Sequence, residues 1–161
     1  MTERFAELDD IFARHEAEQT AQKQRDLELQ KQQRDRIIKF IGVANDVIRP
    51  AMRKFGEYLD TKGCEFLIDP RDDQPAVFVA EASIKFTFAP PGQRLGNFGS
   101  GFPNFSFHTY SHDNKVNLHR STMTPSRGGQ TSFVGKCDAD EITEKLVMEK
   151  LKDLVVEVLA R

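Results

Sequence analysis

Three of the four histidines fall in one short stretch, FSFHTYSHDNKVNLH, residues 105–119. If Asp113-Asn114 is a two-residue turn, His108 faces His119, Tyr110 faces Asn117 and Ser106 faces Ser121. All of these then share one face of a hairpin, which Phe105, Phe107, Thr109, Val116 and Leu118 leave for the other. Directly opposed side chains carry Cβ atoms roughly 5 Å apart, close enough for His108 and His119 to hold one metal ion. A third ligand is missing. His112 lies four residues along the strand from His108, roughly 13 Å away at strand rise. No metal or other cofactor is therefore expected. The same residues suit a polar face for a ligand or a partner, made of His108, Tyr110, Asn117, His119 and Arg120 with Lys85 from the strand before.

Other chemistry has weaker support. The loop GNFGSG, residues 96–101, is rich in glycine, but it lacks the lysine of a phosphate loop and lies between two strands. It reads as a connector or as a lid over a pocket. Cys137 precedes a helix, whose N-terminus would lower a thiol pKa, but Asp138, Asp140 and Glu141 crowd it with negative charge. Cys64 shares parity with Phe66 and Ile68 and belongs in the core. No GxSxG or SxxK motif is present. A binding role is therefore favoured over an enzymatic one.

Charge bears on nucleic acid. The whole chain carries a net charge of −2. Residues 82–130 nevertheless hold five bases (Lys85, Arg94, Lys115, Arg120, Arg127) against one acid, Asp113, and residues 57–81 hold seven acids against two bases. Nucleic-acid binding through the 82–130 region is the weaker alternative, because the overall sign is wrong and the footprint is small.

Strands of period two must position these groups. Cys64–Ile68 is the first. In the second, Phe78, Ala80, Ala82, Ile84, Phe86 and Phe88 share one parity, and Glu81, Ser83, Lys85 and Thr87 the other. Phe105–Tyr110, Lys115–Ser121 and Thr131–Lys136 follow. Asp138, with Glu141 three residues on, predicts the cap of a last helix whose apolar face is Ile142, Leu146, Met148, Leu151, Val155, Val158 and Leu159. Before the strands, Ile37, Ile41, Ala44, Ile48, Met52, Phe55 and Leu59 form a stripe on a helix that ends at Lys62-Gly63. Pro50 predicts a kink or a break near Asp46–Pro50. The expected fold is α+β: a long N-terminal helix, a five-stranded antiparallel meander sheet and a C-terminal helix, with the helices packed on one sheet face. In element order this resembles small secretion-chaperone domains, which interrupt the sheet with a central helix that has no counterpart here. The likeness carries no shared motif and implies no function.

The first 41 residues contain neither glycine nor proline, and residues 13–36 are almost wholly polar. Some 55 helical residues would span roughly 80 Å, far more than a domain of about 100 residues can cover. We therefore expect residues 1–36 to be a polar helical arm or tail and residues 37–161 a compact domain. Phe5, Leu8, Ile11 and Phe12 make an apolar patch on that arm, suited to pairing with a copy of the protein or with a protein partner. The coiled-coil signal is weak, since Ala13–Arg36 offers few apolar seam positions. No apolar run approaches a membrane span and no signal peptide is visible, so a cytoplasmic, membrane-free, oligomeric protein is the expectation.

Overall fold

A computed structural model describes residues 2–71, 81–96, 99, 101–110 and 112–160, with side chains from Phe5 onward. The expected place of Phe78 and Ala80 within the second strand lies outside the described residues. The chain divides into two compact units, Met1–Asp35 and Arg36–Arg161. Helix α1 runs Thr2–Val43. In the first unit every side chain from Phe5 to Gln32 is exposed, so this stretch of helix buries nothing.

The second unit is α+β. After α1 comes a π-helical turn, Ala44–Ile48, then α2, Arg49–Asp60. Pro50 thus neither ends nor breaks the helix. A proline in an α-helix would press its ring on the carbonyl four residues back, that of Asp46. The wider turn relieves this by shifting the bonding to five residues, so that the Arg49 N–H donates to the Ala44 carbonyl. Beyond Asp60, Gly63 adopts φ 82° and the chain turns, with the Cys64 N–H donating to Leu59.

Five strands follow: β1 Phe66–Asp69, β2 Ala82–Phe88, β3 Asn104–Thr109, β4 Val116–Ser121 and β5 Thr131–Cys137. They form one antiparallel sheet in the order β1-β2-β3-β4-β5, so each strand pairs with its neighbour in the chain. Helix α3, Glu144–Leu159, closes the fold. Its start differs from the expectation. Asp138 makes no side-chain cap and leads only a 3-10 turn, Ala139–Glu141. The cap is Thr143, whose side chain accepts the Leu146 N–H at 3.2 Å. The later start moves the buried stripe to Val147, Leu151, Leu154 and Val158, and Leu159 is exposed.

One face of the sheet is covered. Ile84, Phe86, Phe88, Phe105, Phe107, Val116 and Leu118 meet the stripe Ile37, Phe40, Ala44, Ile48, Met52 and Leu59 and the buried side of α3 in one core. Helix α2 lies against β1, and α3 against β3. The approach at β1 is close: a Cβ placed on Gly56 would fall 2.3–2.6 Å from the Phe66 ring. Phe66 in turn stacks on Phe86 at 5.9 Å between centroids. A smaller cluster, Ala89, Leu95 and Phe102 with Leu67, gathers the described part of the loop after β2.

Candidate functional site on the open sheet face

The uncovered face carries the alternate side chains. One row across the strands reads Asp69, Lys85, Ser106, His119 and Phe133, and the next reads Ser83, His108, Asn117 and Lys136. His108, Tyr110, Asn117, His119 and Lys85 are therefore on or beside one surface. Their register differs from the expectation by two residues. His108 faces Asn117, not His119, and His119 faces Ser106. Tyr110 lies beyond the ladder and does not face Asn117, and Ser121 faces Asn104, not Ser106.

The cause is the turn. The Asp113 carboxylate accepts the Lys115 N–H at 3.0 Å, and the Asp113 N–H donates to the Tyr110 carbonyl at 3.2 Å. The connection thus occupies residues 110–115 instead of the two residues 113–114. Because the shift is even, every side chain keeps its face.

Arg120 is the exception among the expected site residues. It pairs with Phe105 on the helix-covered side, where its guanidinium meets Glu157 of α3 at 3.0 Å. Strand parity alone puts it there, one residue from His119.

The rings join into a continuous string. His112 lies 5.6 Å from Tyr110, Tyr110 is stacked on His108 at 6.0 Å, His108 meets His119 edge-on at 5.1 Å, and His119 meets Phe133 at 5.6 Å. Such spacings are those of interacting aromatic pairs. Phe133 was not among the expected site residues. A β-bulge between Leu118 and His119 accounts for it: Gly135 pairs with Leu118 but Phe133, not Val134, pairs with His119. The extra residue reverses the alternation, so that Phe133 stands 54% exposed on the open face while Val134 packs on the core. Gly135, at φ 156°, marks the spot, and an isolated glycine in a strand pattern is the signal for a bulge.

The electrostatics of this face are nearly balanced. Burial, then the nearby positive charge of His119 and Lys85, pushes the His108 pKa below its ordinary value. Its Nε2 lies 2.9 Å from the Ser106 hydroxyl. Nε2 of His119 is buried and has no hydrogen-bond partner among the described residues. Asp113 is held down to about 2, first by Lys136, whose Nζ lies 2.7 Å away, then by the Lys115 N–H. Lys115 itself reaches Asp138 at 2.9 Å. Two of the five bases in 82–130, Arg120 and Lys115, are thus drawn to carboxylates, which thins the basic footprint.

Metal and thiol chemistry have little to work with here. Among the described residues no group of three or more His, Cys, Asp or Glu converges, so His108 and His119 are two donors without a third. Burial raises the Cys64 thiol, which sits in the core. Burial and then Glu141 raise that of Cys137. With α3 starting at Glu144, Cys137 is not at an α-helix N-terminus. A cavity of about 370 Å³ lies at the β1 edge, lined by Arg49, Arg53, Glu57, Phe66, Leu67, Ile68 and Arg71 and not by the string of rings. The glycine-rich loop comes down one row away: a Cβ on Gly99 would sit 3.2 Å from Thr87.

No protein-family model, curated protein or solved structure matches the chain.

Proposed function

We propose that this is a non-enzymatic binding protein that assembles with a copy of itself through the helix of its first unit and offers the open face of its α+β unit to a partner. A cytoplasmic location belongs to the same reading. Among the described residues no helix is long and apolar enough to cross a membrane. The observation that carries the reading is the exposure of Phe5, Leu8, Ile11 and Phe12, at 55%, 46%, 52% and 65%. Four large apolar side chains within eight residues, on a stretch of helix that buries nothing from Phe5 to Gln32, are a surface in want of a cover. A lone helix in water is marginal, and packing of an apolar face is what ordinarily stabilises it.

The test is the light-scattering mass of the full chain beside a chain beginning at Asp35, which keeps Ile37 and Phe40 of the core. The full chain is expected to be a dimer or larger and the shorter one a folded monomer. Two monomers would end the self-assembly reading.

A second reading rests on the string of five rings. It makes the open face a site for a flat or aromatic small ligand, with Lys85 beside it. Under it, a Phe133→Ala or Tyr110→Ala protein would lose ligand retention in a small-molecule screen without losing its fold.

A further inference from the structure

The proposed self-assembly leaves open how two arms lie together, and the charges along the arm bear on that. The three-four track that begins with Phe5, Leu8 and Phe12 runs on through His15, Asp26 and Leu29. Two half-exposed apolar islands thus sit on it, Phe5–Phe12 and Leu29, at opposite ends. Between them the flanking charges change sign, from Glu16 and Glu18 to Lys23 and Arg25.

We infer that two copies of the chain pair through an antiparallel contact of their arms, centred between Thr20 and Ala21. This rests on the self-assembly reading and adds orientation and register to it. In that register Phe12 of one copy packs on Leu29 of the other and His15 faces Asp26, while Phe5 faces Arg36 and Leu8 faces Gln33, so charge pairing and not the Phe5–Leu8 end sets the register. Beside the seam Glu16 meets Lys23 and Glu18 meets Arg25 of the second copy, each twice by symmetry. Within each arm, Gln22 Nε2 donates to Asp26 Oδ1 at 3.1 Å, and Gln19 Nε2 lies 3.1 Å from His15 Nε2, so the four polar seam positions nearest the centre are already bonded.

The alternatives meet like charges. A parallel pair in register stacks the Phe5, Leu8 and Phe12 layers on themselves but sets Asp26 against Asp26, and Arg36 against Arg36, inside the seam. An antiparallel pair slipped by one heptad, centred on Ala17, sets Glu16 beside Glu16 and Glu18 beside Glu18. Charge pairing of this kind selects register and partner more than it adds affinity.

Distances between spin labels on the full chain test the orientation. Cysteines replace Ala6 or Ala21, both on the outer side of the arm, in a Cys137→Ser background. Labels at Ala6 are expected about 44 Å apart along the axis, at 1.5 Å per residue. Labels at Ala21 are expected within roughly 20 Å, set by the interaxial spacing. Two short distances would overturn the antiparallel arrangement and leave self-assembly standing, whereas a monomeric full chain removes both.

A charge swap is the second check, and it touches only exposed side chains. Lys23→Glu with Arg25→Glu should raise the dissociation constant about tenfold or more, and adding Glu16→Lys with Glu18→Arg on the same chain should restore it. A dimer indifferent to the first pair of changes would overturn the register.

Discussion

The two faces of the sheet are built from alternate residues of the same five strands, yet they differ in kind. On the helix side Phe86, Phe88, Phe105 and Phe107 are wholly or almost wholly buried. On the open side the corresponding rings are histidine, tyrosine and one phenylalanine, half-buried or exposed, and they touch one another instead of a second layer. The helix side owes its stability to area removed from water. Away from the small loop cluster that packs on Leu67, the open side owes its order to the backbone ladder beneath it and to a hydrogen-bonded turn at Asp113. One face can therefore change with little harm to the fold, and the other cannot.

The sharpest way to break that comparison is a pair of truncations followed by chemical denaturation. Phe107→Ala should cost about 3–5 kcal/mol, as expected for a fully buried ring. Phe133→Ala should cost under ~1 kcal/mol, because its ring is more than half exposed and leaves no sealed cavity. Equal losses would mean that the open face is a second core.

A smaller effect is expected where helix and sheet approach most closely. Gly56→Ala should destabilise by about 1–3 kcal/mol, since the new methyl would fall 2.3–2.6 Å from the Phe66 ring, which is itself stacked on Phe86, so one of them must shift. A neutral Gly56→Ala would show that α2 can lift from β1.

Next is the cap of α3. Thr143→Ala should lose about 1 kcal/mol by leaving the Leu146 N–H without its acceptor. Asp138→Ala should act on the Lys115 pair and leave helix content, read by circular dichroism, unchanged.

The smallest effects are in pH. His108 has a folded pKa below its unfolded value, so the fold favours its neutral form and loses stability as pH falls below about 6.5. The same sign holds lower down for Asp113: its contribution is present above 3.8 and is lost as pH falls toward about 2. Denaturation midpoints followed across pH should flatten near 6 in His108→Gln and between 4 and 2 in Asp113→Asn. NMR titration of His108 checks the first shift directly.

How far the fold could be read in advance follows from the same contrast. Period-two alternation in β2, β3 and β4 was legible because one face is apolar, and an error of two residues in register left the face assignments intact apart from that of Arg120. The length of the 110–115 turn was not legible, since Asp113-Asn114 has the composition of a tight turn and the Asx bond to Lys115 appears only in three dimensions. Arg120 was misplaced by grouping it with its neighbour His119, although its parity with Leu118 places it opposite. Phe133 was missed because simple alternation from Cys137 puts it on the core side, and only Gly135 hinted at a bulge. At α3, Asp138 and Glu141 imitate a capping box, while the four-three-four spacing of Val147, Leu151, Leu154 and Val158 behind Thr143 held the better answer. The helix stripe from Ile37 to Leu59 was legible except at Phe40, which is fully buried, whereas Ile41 and Phe55 of the expected stripe are only partly buried. The proline within it required a wider turn, which spacing alone does not specify.

The strand order has a consequence for how the molecule is made. Because sheet order is chain order, each hairpin can close as soon as its second strand is synthesised, without waiting for a distant segment, and such local pairing is fast. The cover is a different matter. Helix α2 is made before the sheet and is ready to receive β1, but Phe105 and Phe107 stay half-roofed until α3, the last element, arrives. A chain that has emerged only as far as Thr143 would hold a formed sheet with a greasy side facing water. In the cell that is the interval in which this protein is most exposed to chaperones and to aggregation.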